Sequence, residues 1–232
     1  MRPTISVNLI VKNAEKTIRN CLESVHTIAD EFIVVDTGST DRTLQIVASY
    51  SISVLQHPWN DDFSEIRNYA KQHSTKDWIL VVDADEELIL ENKEELYQML
   101  QQNYDAFWVE IVNELNDGHI QEQKNIRLLR NNPKFLFEGY IHEQILSSIT
   151  KENKNPSIGQ APFSIKHKGY LDKVADQKLK SERNIFLLKK AIDQGFMKPF
   201  YQYCLGVEYF RKKHYDLAEP LLVEAYQQSK KQ

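Results

Sequence analysis

The stretch Trp78-Ile79-Leu80-Val81-Val82-Asp83-Ala84-Asp85-Glu86-Glu87 decides the fold. Five apolar residues, the length of a fully buried strand, lead directly into a cluster of four carboxylates. Open α/β sheets bind their ligands at the carboxyl ends of the strands. Side chains two apart on an extended chain point the same way, so we expect Asp83 and Asp85 to face one ligand.

Two carboxylates in this position favour a divalent cation. Hard oxygen ligands suit Mg²⁺ or Mn²⁺, and such an ion would neutralise a bound diphosphate. The alternative is a polar turn that caps the following helix, because Asp-x-Asp alone is a common sequence.

The composition is that of an ordinary globular protein. A chain of 232 residues allows one sizeable α/β domain and a smaller element, and its formal net charge of −4 argues against a general nucleic-acid surface. Cys21 and Cys204 lie in helical patterns without metal-type spacing, so we expect reduced packing residues in a cytoplasmic protein. No signal peptide is visible, and no apolar run reaches the roughly 18–20 residues of a membrane span.

The first third of the chain alternates strands with helices. Strands are predicted at Ile5–Val11, Phe32–Val35 and Ile52–Leu55, before the one that opens at Trp78. Amphipathic helices are predicted between them, and Asn13 is the candidate N-cap of the first. This order predicts a parallel, doubly wound sheet with right-handed crossovers.

The segment Asp36-Thr37-Gly38-Ser39-Thr40-Asp41 follows the second strand. Gly38 permits a tight turn, and Ser39, Thr40 or Asp41 can cap the next helix. No Gly-x-Gly-x-x-Gly follows the first strand and no Walker-type lysine loop is present, which disfavours the usual dinucleotide and P-loop folds.

Three of these segments together resemble the successive signatures of family 2 glycosyltransferases: Ile5 to Val11 with Asn13, Val34 to Asp41, and Val81 to Glu86. The resemblance covers about two-thirds of the chain and implies the GT-A fold, a mixed, mainly parallel α/β sheet flanked by helices. His57-Pro58-Trp59 with Arg67-Asn68 further resembles a bacterial subgroup that carries a tetratricopeptide tail. We therefore expect a GT-A domain over residues 1–170 and a helical extension over residues 171–232.

The same resemblance implies a set of donor-binding residues, with the base and ribose on the first two segments and the sugar near the third: Val11, Asn13, Glu15, Asp36, Arg67, Asn68, Asp83 and Ala84. Many members have a second acid where this chain has Thr37. Two alternatives stay open. Asp36 can simply cap the turn that follows it. Arg67 and Asn68 either reach a phosphate or form a solvated helix face.

The second half of the chain predicts further strands around a polar helix at residues 92–102. A strand at Ala106–Val112 pairs back with Ile126–Arg130 across an Asp117-Gly118 turn. Phe135–Phe137 begins another strand, and Lys151–Pro156 is an exposed loop.

Two segments of this half, 137–144 and 163–170, also resemble the tetratricopeptide-bearing subgroup. Glu143 is the first candidate for the base that deprotonates the acceptor, and His142 is the second. Neighbours on a strand point to opposite faces, so only one of the two is expected to face the donor. His167 is expected to bind the metal together with Asp85. The alternatives are structural histidines and a solvated acid.

From Lys173 onward the sequence is helical. A first helix ends near Gly195, and Tyr201–Arg211 and Tyr215–Gln228 form a helical pair. Five small or apolar residues of this pair fall on positions of the 34-residue tetratricopeptide pattern: Leu205, Gly206, Tyr209, Ala218 and Ala225. One repeat cannot bury both of its faces, so we expect packing on the catalytic domain, self-association, or docking of further repeats or a peptide.

We therefore expect a metal-dependent, inverting glycosyltransferase that uses Mg²⁺ or Mn²⁺ and a nucleotide diphospho-sugar, most simply a UDP-sugar. Its acceptor is a glycan, a lipid-linked saccharide or a peptide, and nucleic acid is not a partner. One alternative is a non-catalytic scaffold that binds nucleotide-sugars or peptides. Another is a sugar nucleotidyltransferase, which would need a Gly-rich loop and a lysine near the start, and Lys12 alone gives poor support.

Overall fold

The computed structural model describes residues 1–114, 119–167, 174–195 and 198–230, without the side chains of 174–178 and 198. The expected turn at Asp117-Gly118 lies outside these ranges. The chain divides into two compact units. The first contains Met1–Asn60, Glu65–Phe137 and the segment from Gln144 through the last strand. The second contains Asp61–Ser64, Glu138–Glu143 and the C-terminal helices.

The first unit is built on one mixed sheet. Its described strands have the order β3-β2-β1-β4-β7-β6-β8-β5. Their bounds are β1 Ile5–Val11, β2 Glu31–Asp36, β3 Val54–Gln56, β4 Trp78–Val81, β5 Glu86–Ile89, β6 Ala106–Glu114, β7 Ile120–Arg130 and β8 Ile158–His167. The strands from β3 to β4 are parallel, as predicted, whereas β7 pairs antiparallel with both β4 and β6. Strand β4 is therefore the seam between a parallel half and a mixed half.

Helices cover both faces of this sheet: α1 Ile18–Val25, α2 Thr43–Ala48, α3 Phe63–Gln72, α4 Lys93–Leu100 and α5 Leu146–Glu152. Alternation along β4 assigns its side chains to two cores. Trp78, Leu80 and Val82 pack with residues of α1, α2 and α4. Ile79 and Val81 pack in a second cluster with Ile149 of α5. The mixed, mainly parallel sheet with flanking and C-terminal helices is the GT-A arrangement that the sequence predicts.

The second unit is mainly helical, with α6 Val174–Asp193, α7 Lys198–Arg211 and α8 Tyr215–Ser229. Tyr201 on α7 is fully buried and donates a 2.9 Å hydrogen bond to the carbonyl of Ile141. Gly206 allows α8 to approach α7, since a Cβ there would lie 2.8 Å from the side chain of Leu222. None of the helices in the described ranges is both long enough and apolar enough to cross a membrane.

The first helix does not begin where the sequence indicates. Its N-cap position is Thr17, and Asn13 adopts a left-handed backbone conformation with φ of 52°. The side chain of Asn13 instead accepts a 2.8 Å hydrogen bond from the backbone of Thr40. The prediction of Asn13 as an N-cap is therefore wrong, because its side chain bonds to the loop after β2.

Two predictions in the second half of the chain also fail. Phe135–Phe137 forms no strand, because the backbone N–H of Phe137 donates to the side chain of Asn68, 2.9 Å away, rather than to a neighbouring strand. Lys151 and Glu152 belong to α5, so the exposed loop begins only at Asn153. Strand β5, which the sequence does not indicate, is defined by antiparallel pairing with β8.

Gly159 on β8 is a packing position. It lies opposite Phe107 of β6, and an added Cβ would lie 2.8 Å from the fully buried Phe107 ring and 3.2 Å from Tyr104. We expect Gly159→Ala to lower the free energy of unfolding by about 1–3 kcal/mol through overpacking, measured by urea denaturation. Gly38→Ala is the comparison that separates overpacking from backbone strain. An added Cβ at Gly38 meets no atom within 4 Å, so the cost of that variant arises only from the φ of 102°. Unchanged stability of Gly159→Ala would contradict this packing.

Candidate active site

The carboxylate cluster after β4 is shaped by a tight turn. The backbone N–H of Glu86 donates to the carbonyl of Asp83 at 3.0 Å, and the Glu86 carboxylate accepts the N–H of Asp83 at 2.8 Å. The chain is therefore not extended from Asp83 to Asp85, with Ala84 at the corner. The extended geometry that the sequence predicted here is wrong, and the turn gives each carboxylate a different set of protein partners. That both carboxylates face one ligand stays a prediction.

Asp83 is held between two arginines. One of its oxygens bonds to Arg67, and the other accepts from Arg127 at 3.0 Å. Burial alone would raise the pKa of Asp83, but the two guanidinium groups outweigh it and hold that pKa well below its usual range. Asp83 is therefore an anion, and its side chain keeps 36% of its surface exposed, so a ligand can still reach it.

Glu86 lies beneath this cluster with a side chain only 3% exposed. The same Nη2 atom of Arg127 that bonds to Asp83 is 3.0 Å from Glu86. Burial, reinforced by the charge of Asp83, raises the pKa of Glu86 to about 7 despite Arg127. Cys21 closes the cluster from α1, with its thiol donating to the carbonyl of Asp83 at 3.3 Å. Burial and the surrounding carboxylates raise the pKa of Cys21 well above its usual range.

Asp85 pairs with a histidine from the far end of β8. Its Oδ2 lies 3.3 Å from Nε2 of His167, and the two side chains are 29% and 25% exposed. On the other side of the ring, Nδ1 of His167 lies 2.9 Å from Oδ1 of Asn113 on β6. Burial favours the neutral ring, but the hydrogen bond and charge of Asp85 outweigh it and raise the pKa of His167.

Asp85 and His167 fit a divalent metal of the octahedral type. Two ligands in adjacent positions at about 2.1 Å from the ion lie about 3.0 Å apart, close to the separation seen here. In the part of the chain that the structure describes, no group of three or more His, Cys, Asp or Glu side chains is placed to hold a metal. Mg²⁺ commonly binds to one or two protein ligands and completes its shell with phosphate oxygens and water.

The segments 11–15 and 36–43 are joined side to side. Asp36 is buried, and its carboxylate accepts the N–H groups of Gly38 and Ser39 at 3.1 Å, which is the capping role considered as an alternative. Glu15 accepts from the backbone of Arg42, and its own N–H donates to Asp41, each at 3.1 Å. Thr37 and its N–H both donate to the carbonyl of Val11. These bonds make the two segments one rigid rim beside the end of β2.

Arg67 and Asn68 are neighbours in sequence but bond to different parts of the structure. Arg67 is buried and bonds to Asp83, so its charge acts on the carboxylate cluster. Asn68 bonds at both ends of its amide to the backbone of Phe137, with each distance at 2.9 Å. Its expected role in nucleotide binding is not supported, because both polar atoms of the side chain already hold the segment before Glu138.

The two candidate bases belong to the second unit. His142 has a left-handed backbone with φ of 52°, so the segment is not the extended strand that the sequence predicted. Its ring meets Phe200 edge-on, with the centroids 6.3 Å apart. Glu143 is half-buried near Tyr201, whose pKa is raised by burial first and then by the charge of Glu143.

Sequence reasoning missed three residues of this site. Arg127 and Asn113 come from β7 and β6, and each meets the cluster only through sheet pairing. Glu86 stood in the quoted stretch, but it was not singled out. A signal for Asn113 existed, since it is an amide within the strongly apolar strand that begins at Ala106.

Arg127 neutralises two carboxylates, so its loss should be costly. We expect Arg127→Met to lower the free energy of unfolding by about 3 kcal/mol above pH 7, because Glu86 would then be buried either as an uncompensated charge or at the cost of taking up a proton. Adding Glu86→Gln should recover much of this loss, since the amide oxygen can still accept from Asp83. Urea denaturation of the single and double variants measures the coupling. Additive effects of the two substitutions would contradict the shared ion pair.

Comparison with known proteins agrees with this architecture. The family described as "Glycosyl transferase family 2" matches residues 6–156. A TPR repeat-containing protein of Synechococcus elongatus is 38% identical over 170 residues, covering 72% of this chain and 42% of the relative. The SPbeta prophage-derived glycosyltransferase SunS of Bacillus subtilis is 30% identical over 218 residues, covering 89% and 49%. The chain thus spans less than half the length of these two relatives.

Two known structures share the fold at low identity. The S. aureus TarS 1-349 structure in complex with UDP-GlcNAc has a TM-score of 0.59 at 18% identity, covering 96% of this chain and 79% of that chain. Glucosyl-3-phosphoglycerate synthase from Mycobacterium tuberculosis with Mn²⁺, UDP and phosphoglyceric acid has a TM-score of 0.56 at 17% identity, covering 84% and 79%. With the family match over more than half of its length, this chain belongs to glycosyltransferase family 2.

Proposed function

We propose that this chain transfers a sugar from a UDP-sugar to an acceptor with inversion at the anomeric carbon, using Mg²⁺ or Mn²⁺. The observation that carries the proposal is the pair of Asp85 and His167, 3.3 Å apart at the carboxyl end of β4 in a family 2 fold. The TarS and glucosyl-3-phosphoglycerate synthase structures contain UDP or a UDP-sugar, which supports a uridine donor.

Asp85 and His167 are the proposed metal ligands, and an ion held there would neutralise charge on the departing diphosphate. Asp83, ionised and partly exposed between its two arginines, accepts hydrogen bonds from hydroxyls of the donor, with Ala84 beside it. The guanidinium of Arg67 is bonded to Asp83, so Arg67 acts mainly by keeping that acid ionised. Its charge is then divided between Asp83 and the diphosphate. The rim formed by Val11, Asn13 and Glu15 supplies the base and ribose contacts, and Asp36 holds the turn of that rim in place.

Transfer also requires that the acceptor lose a proton as its oxygen, or the sulfur of a cysteine peptide, bonds to the anomeric carbon. The bond from that carbon to the diphosphate oxygen breaks in the same step. We assign the proton to Glu143, with His142 as the second candidate, because a carboxylate or imidazole is suited to this role.

The acceptor is a glycan, a lipid-linked saccharide or a peptide. Several large side chains of the second unit are exposed, including Tyr203, Phe210 and Tyr226, which supports docking of a peptide or self-association through the C-terminal helices. A non-catalytic scaffold on the same fold is the alternative function, and turnover separates the two.

The role of Asp85 is testable without knowledge of the acceptor. We expect slow UDP release from a UDP-sugar that requires Mn²⁺ or Mg²⁺ and stops with EDTA. Asp85→Asn should lower kcat/KM by about 100-fold or more, because it removes a charged metal ligand. Asp77→Asn, a carboxylate that precedes β4 and bonds to Thr4, is the matched control and should retain activity. Metal-bound UDP-sugar without any release, over a panel of sugars and acceptors, would favour the scaffold.

The base assignment has its own test. We expect Glu143→Gln to lower kcat by about 100- to 10,000-fold while UDP affinity, measured by calorimetry, stays unchanged. Glu138→Gln, another acid in the same segment, is the control and should retain kcat. If His142→Asn abolishes turnover while Glu143→Gln does not, the base is His142.

A further inference from the structure

We infer that Asn113 is a positioning residue that fixes the tautomer of His167, so that the ring presents Nε2 to a divalent cation beside Asp85. The inference rests on the proposed function and deepens it. Asn113 touches neither the substrate nor the ion. It acts through the histidine.

Asn113 is buried at a position where a polar side chain needs hydrogen-bond partners. It is 4% exposed and lies near the end of β6, where the preceding inward residues Val109 and Ile111 are apolar. Burial of an amide without hydrogen bonds costs several kcal/mol, roughly 1–3 in protein mutational data. Both ends of this amide are bonded, to Gln121 and to His167.

The two bonds follow from strand register. Asn113 is the pairing partner of Gln121 on β7 and of His167 on β8, so the amide lies within a row that crosses three adjacent strands. On the next strand, His167 pairs with Glu86, the residue after Asp85. Strand pairing thus connects the Asn113 amide to the carboxylate cluster, although the strands involved are distant in sequence.

The bond to Gln121 determines which end of the amide faces the histidine. The Gln121 backbone carbonyl only accepts, so the atom of Asn113 at 3.2 Å from it is the NH₂ group. The oxygen of Asn113 therefore faces Nδ1 of His167 at 2.9 Å, and an amide oxygen only accepts. Nδ1 must carry a proton, and in the neutral ring the lone pair is on Nε2.

That lone pair points to a carboxylate. Nε2 of His167 and Oδ2 of Asp85 are 3.3 Å apart, and two electron-rich atoms at this distance need a positive charge between them, either a proton on Nε2 or a metal ion. A divalent cation meets this need with both ligands in adjacent positions. Outer partners of a metal-bound histidine orient the ring and fix its tautomer, and their loss typically weakens metal binding by about 10- to 100-fold.

The test uses the whole chain, Mn²⁺ as probe and UDP at a saturating concentration. We expect Asn113→Leu to raise the Kd for Mn²⁺ by about 10- to 100-fold, with His167→Ala showing a similar or larger loss. UDP binding without metal should be unchanged. Asn131→Ala is the control for lost amide bonds, since Asn131 donates to the carbonyls of Ser74 and Lys76 at 2.9 Å and lies beyond the opposite end of β4. It should bind Mn²⁺ normally.

A second measurement needs no variant of Asn113. In the metal-free wild-type protein, ¹⁵N NMR of the neutral His167 ring should show the Nδ1–H tautomer, with the signals assigned by their loss in His167→Ala. An Nε2–H tautomer would overturn the inference, as would wild-type Mn²⁺ affinity in folded Asn113→Leu. A failure of the wild-type protein to bind Mn²⁺ with UDP would overturn the proposed function as well, whereas the other two outcomes leave that function intact.

Discussion

The first unit depends on the neutralisation of a dense group of negative charges at the end of its central strand. Asp83, Asp85 and Glu86 fall within four consecutive positions, and Glu86 is almost completely buried. Like charges this close raise one another's pKa unless cations separate them. Arg67 from α3 and Arg127 from β7 supply these cations, so the apolar strand β4 can stay buried although acids follow its end.

This constraint links the sheet to the chemistry. Leu80 pairs with Leu128, so Arg127 lies directly beside the end of β4, at the seam where the parallel half of the sheet meets its antiparallel neighbour. The two arginines keep Asp83 ionised, and the tight turn separates Asp85 from it. Asp85 pairs instead with His167. One short turn thereby divides a run of acids into a group paired with arginines and one acid paired with a histidine.

Local sequence was sufficient for the elements that carry this arrangement. β1, β2 and β4 are buried runs bounded by polar residues, and α4 lies within the polar helix predicted at residues 92–102. What could not be predicted depends on distant partners. Strand β5 begins with two glutamates and forms only against β8, and the Asp83 turn depends on Glu86 reaching back to a backbone N–H. Phe137 resembles a strand residue, yet its backbone bonds to Asn68.

The burial of Cys21 against the Asp83 carbonyl has a practical consequence for work on this protein. Cys21 and Cys204 are the chain's two cysteines, and Cys21 is shielded and held as a thiol. Cys204 on α7 is half-buried, with a pKa raised to about 11 by burial, so it reacts slowly but remains accessible. A maleimide dye should therefore attach to Cys204 alone, giving a fluorescent reporter on the helical unit that leaves the carboxylate turn chemically untouched.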